Sequence, residues 1–296
     1  DSPNDERTFA GVRDGLRSAL REVEFVERRA GGDRDKAKKG LYELRDAECR
    51  LLLTMGTQAA LLAQEHVPEV PRVFTAVANP VASQLCPDWK TAGSAVAGAS
   101  YWIEPAAVLR VFRLAVPGLH RLGMLRSRTS GVVSQAELAA MRALVDGSDG
   151  VALELIDQVA DDVDDIERAT RTLLDAGVQA IWIPNDFTIY QNLAAITKPT
   201  SAVRVPLVTT ALAAVRSEAV VSATVDFELH GRRTAALLLR VLDGHEPASL
   251  PIDTMQSFRI VANLDAARRA GIELPLSLLV LADELIHEEA RDVGPR

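Results

Sequence analysis

The sequence predicts an α/β protein built from two doubly wound lobes with mainly parallel sheets. Two observations carry that expectation. Short apolar runs alternate with helical patterns along nearly the whole chain, as expected for parallel strands covered by helices. The runs stop at small polar residues that lead into helices, as ligand-contacting loops do at the carboxyl ends of parallel strands. A break at Pro117-Gly118, after which the series restarts at Arg121, divides the alternation in two.

The elements follow in order. Phe9, Val12, Leu16 and Leu20 at helical spacing predict a helix from Glu6 to Val23, and Glu24–Arg29 reads as a short strand. Gly31–Asp33 is a turn that caps a helix from Lys36 to about Cys49. Strand Leu51–Leu53 leads to a helix Thr57–Glu65, and strand Val73–Thr75 ends at the Asn79-Pro80 turn. Ala95–Ala97 is a strand, and Pro105 sits at a favoured first-turn position of a helix to Val116. The second series pairs strands Arg121–Arg126, Val151–Gln158, Ala180–Ile183, Val205–Val208 and Val220–Thr224 with helices. Those helices run over Gln135–Val145, from an Asp164 or Asp165 cap to Ala176, over Thr188–Ile196, Leu212–Ser217 and Phe227–Leu242. A strand–connection–strand stretch over 251–264 follows, then helices at Asp265–Ala270 and Ser277–Glu289. The first helix has no strand before it. That strand is expected upstream of Asp1, or the first lobe lacks it.

The bounds are those of an ordinary soluble globular chain: 296 residues, 48% hydrophobic and 25% charged. At 4% aromatic residues, the core is expected to be mostly Ala, Val and Leu. A net charge of −8 with scattered arginines argues against nucleic acid, which needs a concentrated basic surface. No apolar run reaches bilayer-spanning length. Cys49 and Cys86 read as unpaired thiols, with a disulfide neither required nor forbidden by spacing. The acidic run Asp161–Asp165 lacks the spacing of a calcium loop, and the five histidines are isolated. Neither a metal nor a cofactor is therefore expected. No nucleophile elbow, zinc-protease helix, P-loop or dinucleotide fingerprint occurs, so a binding protein is expected rather than an enzyme.

The candidate site residues all stand at predicted strand ends. In the first series they are Thr57 and Gln58 at a helix start, Asn79 in its turn, and Ser100 and Tyr101 after the third strand. Free N–H groups at a helix start suit an anionic group such as a carboxylate. In the second series they are Thr129 and Ser130 in a hydroxyl-rich loop, Asn185, Asp186 and Phe187 after the Ile181–Pro184 run, Thr210, and Asp226 before the long helix. A carboxylate there suits a ligand ammonium. Plain N-caps and Asx turns explain each residue singly, and the repetition of the same polar chemistry at strand ends is what points to a ligand.

The segments GTQAAL, VFTAVANPV, AGASYW, LAVPGLHRLGML, AIWIPNDFT, ATVDFELHGRRTA and FRIVANLDAARRAGIELPLSLLVLADELI, in that order, resemble the ABC transporter substrate-binding proteins related to the tryptophan/tyrosine-type receptors. The resemblance runs from about Phe9 to Ile286. It implies a type I periplasmic-binding-protein fold, two lobes joined by three crossovers and closing on a ligand. It also implies an extracytoplasmic receptor, often lipid-anchored, that passes an amino-acid-like ligand to an ABC permease. The family's ligand loops fall at Thr57-Gln58, Ala78-Asn79 and Ser100-Tyr101 in the first lobe, and at Thr129-Ser130, Asn185-Asp186, Thr210 and Asp226 in the second. Lobe 1 is expected at 1–118 plus about 228–262, and lobe 2 at 119–227 plus about 263–296. The chain departs from the family at the first strand, at Asn79 where a Ser-Asp pair is common, and in the following YWIEP. A ligand-sensing domain of a membrane signalling protein is the alternative reading of the same fold.

Overall fold

The computed structural model describes residues 3–287 apart from 94, 129–131, 148–151 and 256. The chain runs α1 (Pro3–Ser18), α2 (Arg34–Asp46), β1 (Leu52–Met55), α3 (Thr57–His66), β2 (Arg72–Val77) and β3 (Val96–Ser100). It continues as α4 (Pro105–Ala115), β4 (Arg121–Arg126), α5 (Val132–Gly147), β5 (Glu154–Val159), α6 (Val163–Asp175) and β6 (Ala180–Ile183). Next come α7 (Phe187–Tyr190), α8 (Leu193–Ala202), β7 (Leu207–Thr209), α9 (Leu212–Ser217) and β8 (Val221–Thr224). α10 (Phe227–Leu242), β9 (Asp253–Thr254), β10 (Arg259–Asn263), α11 (Leu264–Arg269), α12 (Leu276–Leu281) and β11 (Glu284–Ile286) follow.

The chain divides into two compact units, Asp1–Trp102 with Val225–Ser257, and Ile103–Thr224 with Phe258–Arg296. The passages between units thus lie near 102, 224 and 257, against the expected 118, 227 and 262. α4 accounts for the first difference. Its Val108, Leu109, Val111 and Phe112 are buried in the core of the second unit, with Trp182 and Val221. The amphipathic face of a helix, more than the Pro-Gly break after it, decides where that helix belongs.

In the first unit the sheet order is β1-β2-β3-β9, and every pair is parallel. α1 and α10 pack on it through Val12, Leu16, Ala235 and Leu238, against Val73, Ala97 and Ala99. Their backbones approach closely, because a Cβ at Gly231 would run into the Thr8 carbonyl oxygen and one at Gly11 into that of Glu228. α1 ends at Ser18, before the expected Val23, because Leu20 adopts a left-handed φ of 54° that no helix continues. The expected strand Glu24–Arg29 forms no ladder among the described residues. Both cysteines are free, and burial pushes the Cys86 thiol up to about 12, where it stays protonated.

The second unit holds a seven-stranded sheet, β11-β10-β8-β7-β6-β4-β5, parallel except that β10 runs antiparallel to β8. Its core is centred on Trp182, whose ring meets Phe112 edge-on at 5.8 Å between centroids. The chain reverses direction across the sheet at β4, from β5 on one side to β6 on the other. A reversal of this kind opens a crevice at the carboxyl ends of the strands. Three local expectations change here. α6 is capped by Asp162, whose side chain accepts the Asp165 N–H, and the other acids lie in its first turn. The helix expected over Thr188–Ile196 splits into α7 and α8 at Asn192, whose Nδ2 donates to the Thr188 carbonyl. The last helix stops at Leu281, and Glu284–Ile286 pairs parallel with β10 as β11.

Candidate functional site

The strand-end loops of the second unit converge on one polar cluster. Ser127, just after β4, donates its N–H to Asp186 Oδ2 at 2.7 Å and its hydroxyl to both carboxylate oxygens at 3.1 and 3.0 Å. Asp186 is 2% exposed and also accepts the Ile189 N–H, which starts α7. Its carboxylate therefore ties the loop after β4 to the loop after β6. Asn185, exposed beside it, donates its N–H to Glu137 Oε2 at 3.2 Å, and its Oδ1 accepts the Tyr190 hydroxyl at 2.9 Å. Thr210, after β7, donates its hydroxyl to Glu137 Oε1 at 2.8 Å. Glu137 on α5 thus gathers the loops after β6 and β7.

That position has an electrostatic consequence. Burial pushes the Glu137 carboxyl up to about 7, and the negative charge of Asp186 adds to the rise, against the bonds from Thr210 and Asn185. An acid near pH 7 among strand-end loops trades its proton readily with a cation or donor. Thr129 and Ser130 lie outside the described residues, as does the side chain of Phe187, which opens α7.

The first unit arranges its own strand ends. After β1, Gly56 takes φ 84° and starts α3 with no side-chain cap, so Thr57 and Gln58 present first-turn N–H groups without intrahelical partners. After β2, Asn79 Oδ1 accepts the Ala82 N–H at 2.9 Å and its carbonyl accepts the Ser83 N–H, so its side chain caps the turn that follows. As the last residue of β3, Ser100 is fully buried, donating to the Ala78 carbonyl at 2.6 Å and accepting the Trp102 N–H at 3.1 Å. Its hydroxyl fixes the loops after β2 and β3 relative to one another. Tyr101 packs edge-on against Phe227 and His230. Asp226 belongs to this unit, not to the second series where the sequence placed it, and its Oδ1 caps α10 by accepting the Glu228 and Leu229 N–H groups.

His230, on the first turn of α10, was not singled out by its sequence context. It is fully buried, and its Nε2 accepts the Ala76 N–H at 3.2 Å and lies 3.1 Å from Thr75 Oγ1. Nε2 is therefore the acceptor, and the ring proton sits on Nδ1, which is buried with no partner among the described residues. The bond steadies Ala76, which adopts a left-handed φ of 55° where the pairing of β2 with β3 shifts register. Burial lowers the His230 pKa to about 4, and Arg233 adds to the effect.

The family model described as ABC transporter substrate binding protein matches residues 2–286. The chain belongs to this family. Among solved ABC substrate-binding structures, it superposes with a TM-score of 0.76 on the ABC domain in complex with L-Trp from Streptococcus pneumonia, at 23% identity and covering 97% of each chain. It superposes with a TM-score of 0.83 on the ligand-free, open structure of a substrate binding protein with adhesive properties from Clostridium difficile, at 16% identity and 97% of each chain. These likenesses establish the type I periplasmic-binding-protein fold. A curated relative, the tyrosine-binding protein of Clostridioides difficile (strain R20291), is 21% identical over 223 residues, which are 75% of this chain and 63% of that protein. Members of the substrate-binding family work outside the cytoplasm, and no described helix of this one is long and apolar enough to cross a membrane.

Proposed function

We propose that this protein is an extracytoplasmic receptor that captures a small amino acid and delivers it to an ABC permease. The observation that carries the reading is the cluster of Ser127, Asn185, Asp186 and Thr210 around Glu137. It sets two carboxyl groups at the switch point of a parallel sheet, where ligands of such folds bind. The family is one of solute receptors and not of enzymes.

The chemistry assigned to each half follows from charge. In the second unit, Asp186 with Glu137 offers an acidic side that suits a ligand ammonium, since charge-assisted hydrogen bonds are the strong ones. In the first unit, the free N–H groups of Thr57 and Gln58 at the start of α3 suit a carboxylate, with Asn79 and Ser100 shaping the neighbouring loops and Asp226 capping α10. Tyr101, packed against Phe227 and His230, offers an aromatic face for an apolar ligand part. The relatives, one solved with L-Trp and another named for tyrosine, favour an aromatic amino acid.

Thermal unfolding in the presence of L-Trp, L-Tyr and L-Phe tests this. A ligand at a hundred times its Kd raises stability by about 2.7 kcal/mol. Glu137→Gln is expected to weaken that ligand roughly tenfold, about the 1.4 kcal/mol carried by one hydrogen bond to a charged group. If no amino acid moves the melt, the reading is wrong.

A further inference from the structure

The amino ends of β2 and β3 hold a buried charge. Arg72 opens β2, in register with Val96 at the start of β3, and is 4% exposed. Its guanidinium makes two hydrogen bonds among the described residues, both from Nη1. They go to the Pro68 carbonyl at 3.0 Å and the Val70 carbonyl at 3.4 Å. Nε is buried without a partner.

Two carbonyls satisfy N–H groups but bring no counter-charge. An arginine keeps its proton at any physiological pH, so it does not escape the cost of burial by turning neutral. Buried charges are ordinarily paired. Among the described residues no carboxylate pairs with Arg72. Glu69, whose charge acts on it against the effect of burial, is exposed and forms no ion pair with it. Asp88, on the loop that follows β2, is occupied by its own turn, where it accepts the Lys90 and Thr91 N–H groups at 2.7 and 2.9 Å.

The guanidinium lines a pocket of about 590 Å³, a size that suits a small molecule. Val81, Leu85 and Val96 give it an apolar wall, and the exposed Gln64 and Gln84 stand at its rim. The wall is fixed. Leu85 and Val96 pack in one core cluster with Phe74, and the Leu85 N–H donates to the Pro80 carbonyl at 2.9 Å. None of the first unit's candidate loop residues lines this pocket.

The chemistry of an occupant follows from these surfaces. Because both existing bonds start at Nη1, the Nε–Nη2 side of the fork is open to two parallel bonds from one carboxylate. A bare oxyanion would meet Arg72 but leave the apolar wall against water. A carboxylate on an apolar body meets both.

We infer that this pocket binds a small organic monocarboxylate, with its head on Arg72 and its apolar body against Val81, Leu85 and Val96. The site is separate from the proposed amino-acid site.

Titration of the full 296-residue chain with benzoate, followed by nitrogen-edited NMR of the arginine Nε–H groups, tests this. Benzoate is expected to move the Arg72 Nε–H signal along a saturable curve. Benzamide, the same shape without the charge, is expected to bind at least about tenfold more weakly. Arg72→Lys keeps the charge but not the fork, and is expected to weaken benzoate about tenfold. No response at Arg72, whatever happens at the Thr57 and Gln58 amides, overturns the proposal without touching the amino-acid reading. Sulfate moving the Arg72 signal as readily as benzoate also overturns it, because the pocket then takes any bare anion. So does Glu69→Gln moving that signal, with no ligand present, as far as benzoate moves it, because Glu69 is then the counter-ion.

Discussion

At the scale of single residues, two titratable groups, the half-buried Glu137 and the fully buried His230, set opposing pH slopes. Glu137 is lifted from its ordinary 4.5 to about 7, so the folded state holds its proton more tightly than the unfolded chain. Stability from this group is fully present below about pH 4.5 and is lost as pH rises to about 7. At about 1.4 kcal/mol per pKa unit, and discounted for its part exposure, the loss is on the order of 2 kcal/mol. His230 is lowered from 6.5 to about 4, so its contribution is present above about pH 6.5 and is lost as pH falls to about 4. Between pH 4.5 and 6.5 the two partly cancel. Glu137→Gln is therefore expected to make stability, measured by urea unfolding, rise more steeply with pH over that window. His230→Phe is expected to tilt the same profile the other way, and to cost about 1–3 kcal/mol by leaving the Ala76 N–H unpaired. Asn185, Asp186 and Thr210 were legible as candidates because small polar residues followed predicted strands. Glu137 and His230 were not, since each sits within a helical pattern of ordinary composition. Only the rotation of α5 and α10 over the strand ends gives them partners.

At the scale of elements, the packing of α1 on α10 is the most exposed to a small change. Gly231→Ala places a methyl against the Thr8 carbonyl, and Gly11→Ala places one against that of Glu228. Both contacts are with backbone, which cannot rotate away, so the helices must separate and lose contact among Val12, Leu16, Ala235 and Leu238. Either change is expected to lower stability by about 1–3 kcal/mol although alanine is the better helix former, visible as a lower Tm by circular dichroism. Gly147→Ala, with nothing among the described residues within 4 Å of the added carbon, serves as the control and is expected to be neutral or better. Which elements the sequence revealed follows the same physics. Strands flanked by helices on both faces are short apolar runs, and β2, β4, β6 and β8 were read close to their bounds, whereas β3 runs on past the expected Ala97 to Ser100. EVEFVE carries a strand's alternation, but pairing is a property of the neighbour, so pattern alone assigned it to a ladder. The last segment failed for the opposite reason. LSLLVLADELI keeps a helical composition, yet the chain turns at Ala282 and Asp283, and the Asp283 N–H donates to Ile260.

At the scale of the whole molecule, the decisive property is that neither unit is one continuous segment. The first is built from Asp1–Trp102 and Val225–Ser257, and the second from Ile103–Thr224 and Phe258–Arg296. The reason lies in α10 and β9. α10 supplies Ala235, Leu237 and Leu238 to the first core, and β9 pairs with β3 while Asp253 binds Arg233. Burying a leucine side chain contributes roughly 2 kcal/mol, and a whole domain has only about 5–15 kcal/mol of net stability. A fragment ending at Trp102 loses both leucines, the helix that covers β2 and β3, and the His230 bond that steadies Ala76. It is expected not to fold. Joining Val225–Ser257 directly behind Trp102 through a Gly/Ser linker restores every one of those contacts within one unit, and loop closure adds little for a linker of modest length. The linked chain is expected to melt cooperatively by circular dichroism and to show dispersed amide spectra, and the fragment to do neither. Cooperative melting of the fragment alone would show that α10 is dispensable to the first core. The same comparison bears on ligand capture: since each unit needs a return of the chain to be whole, residues late in the sequence, Asp226 and His230 among them, complete the loops that the first strands begin.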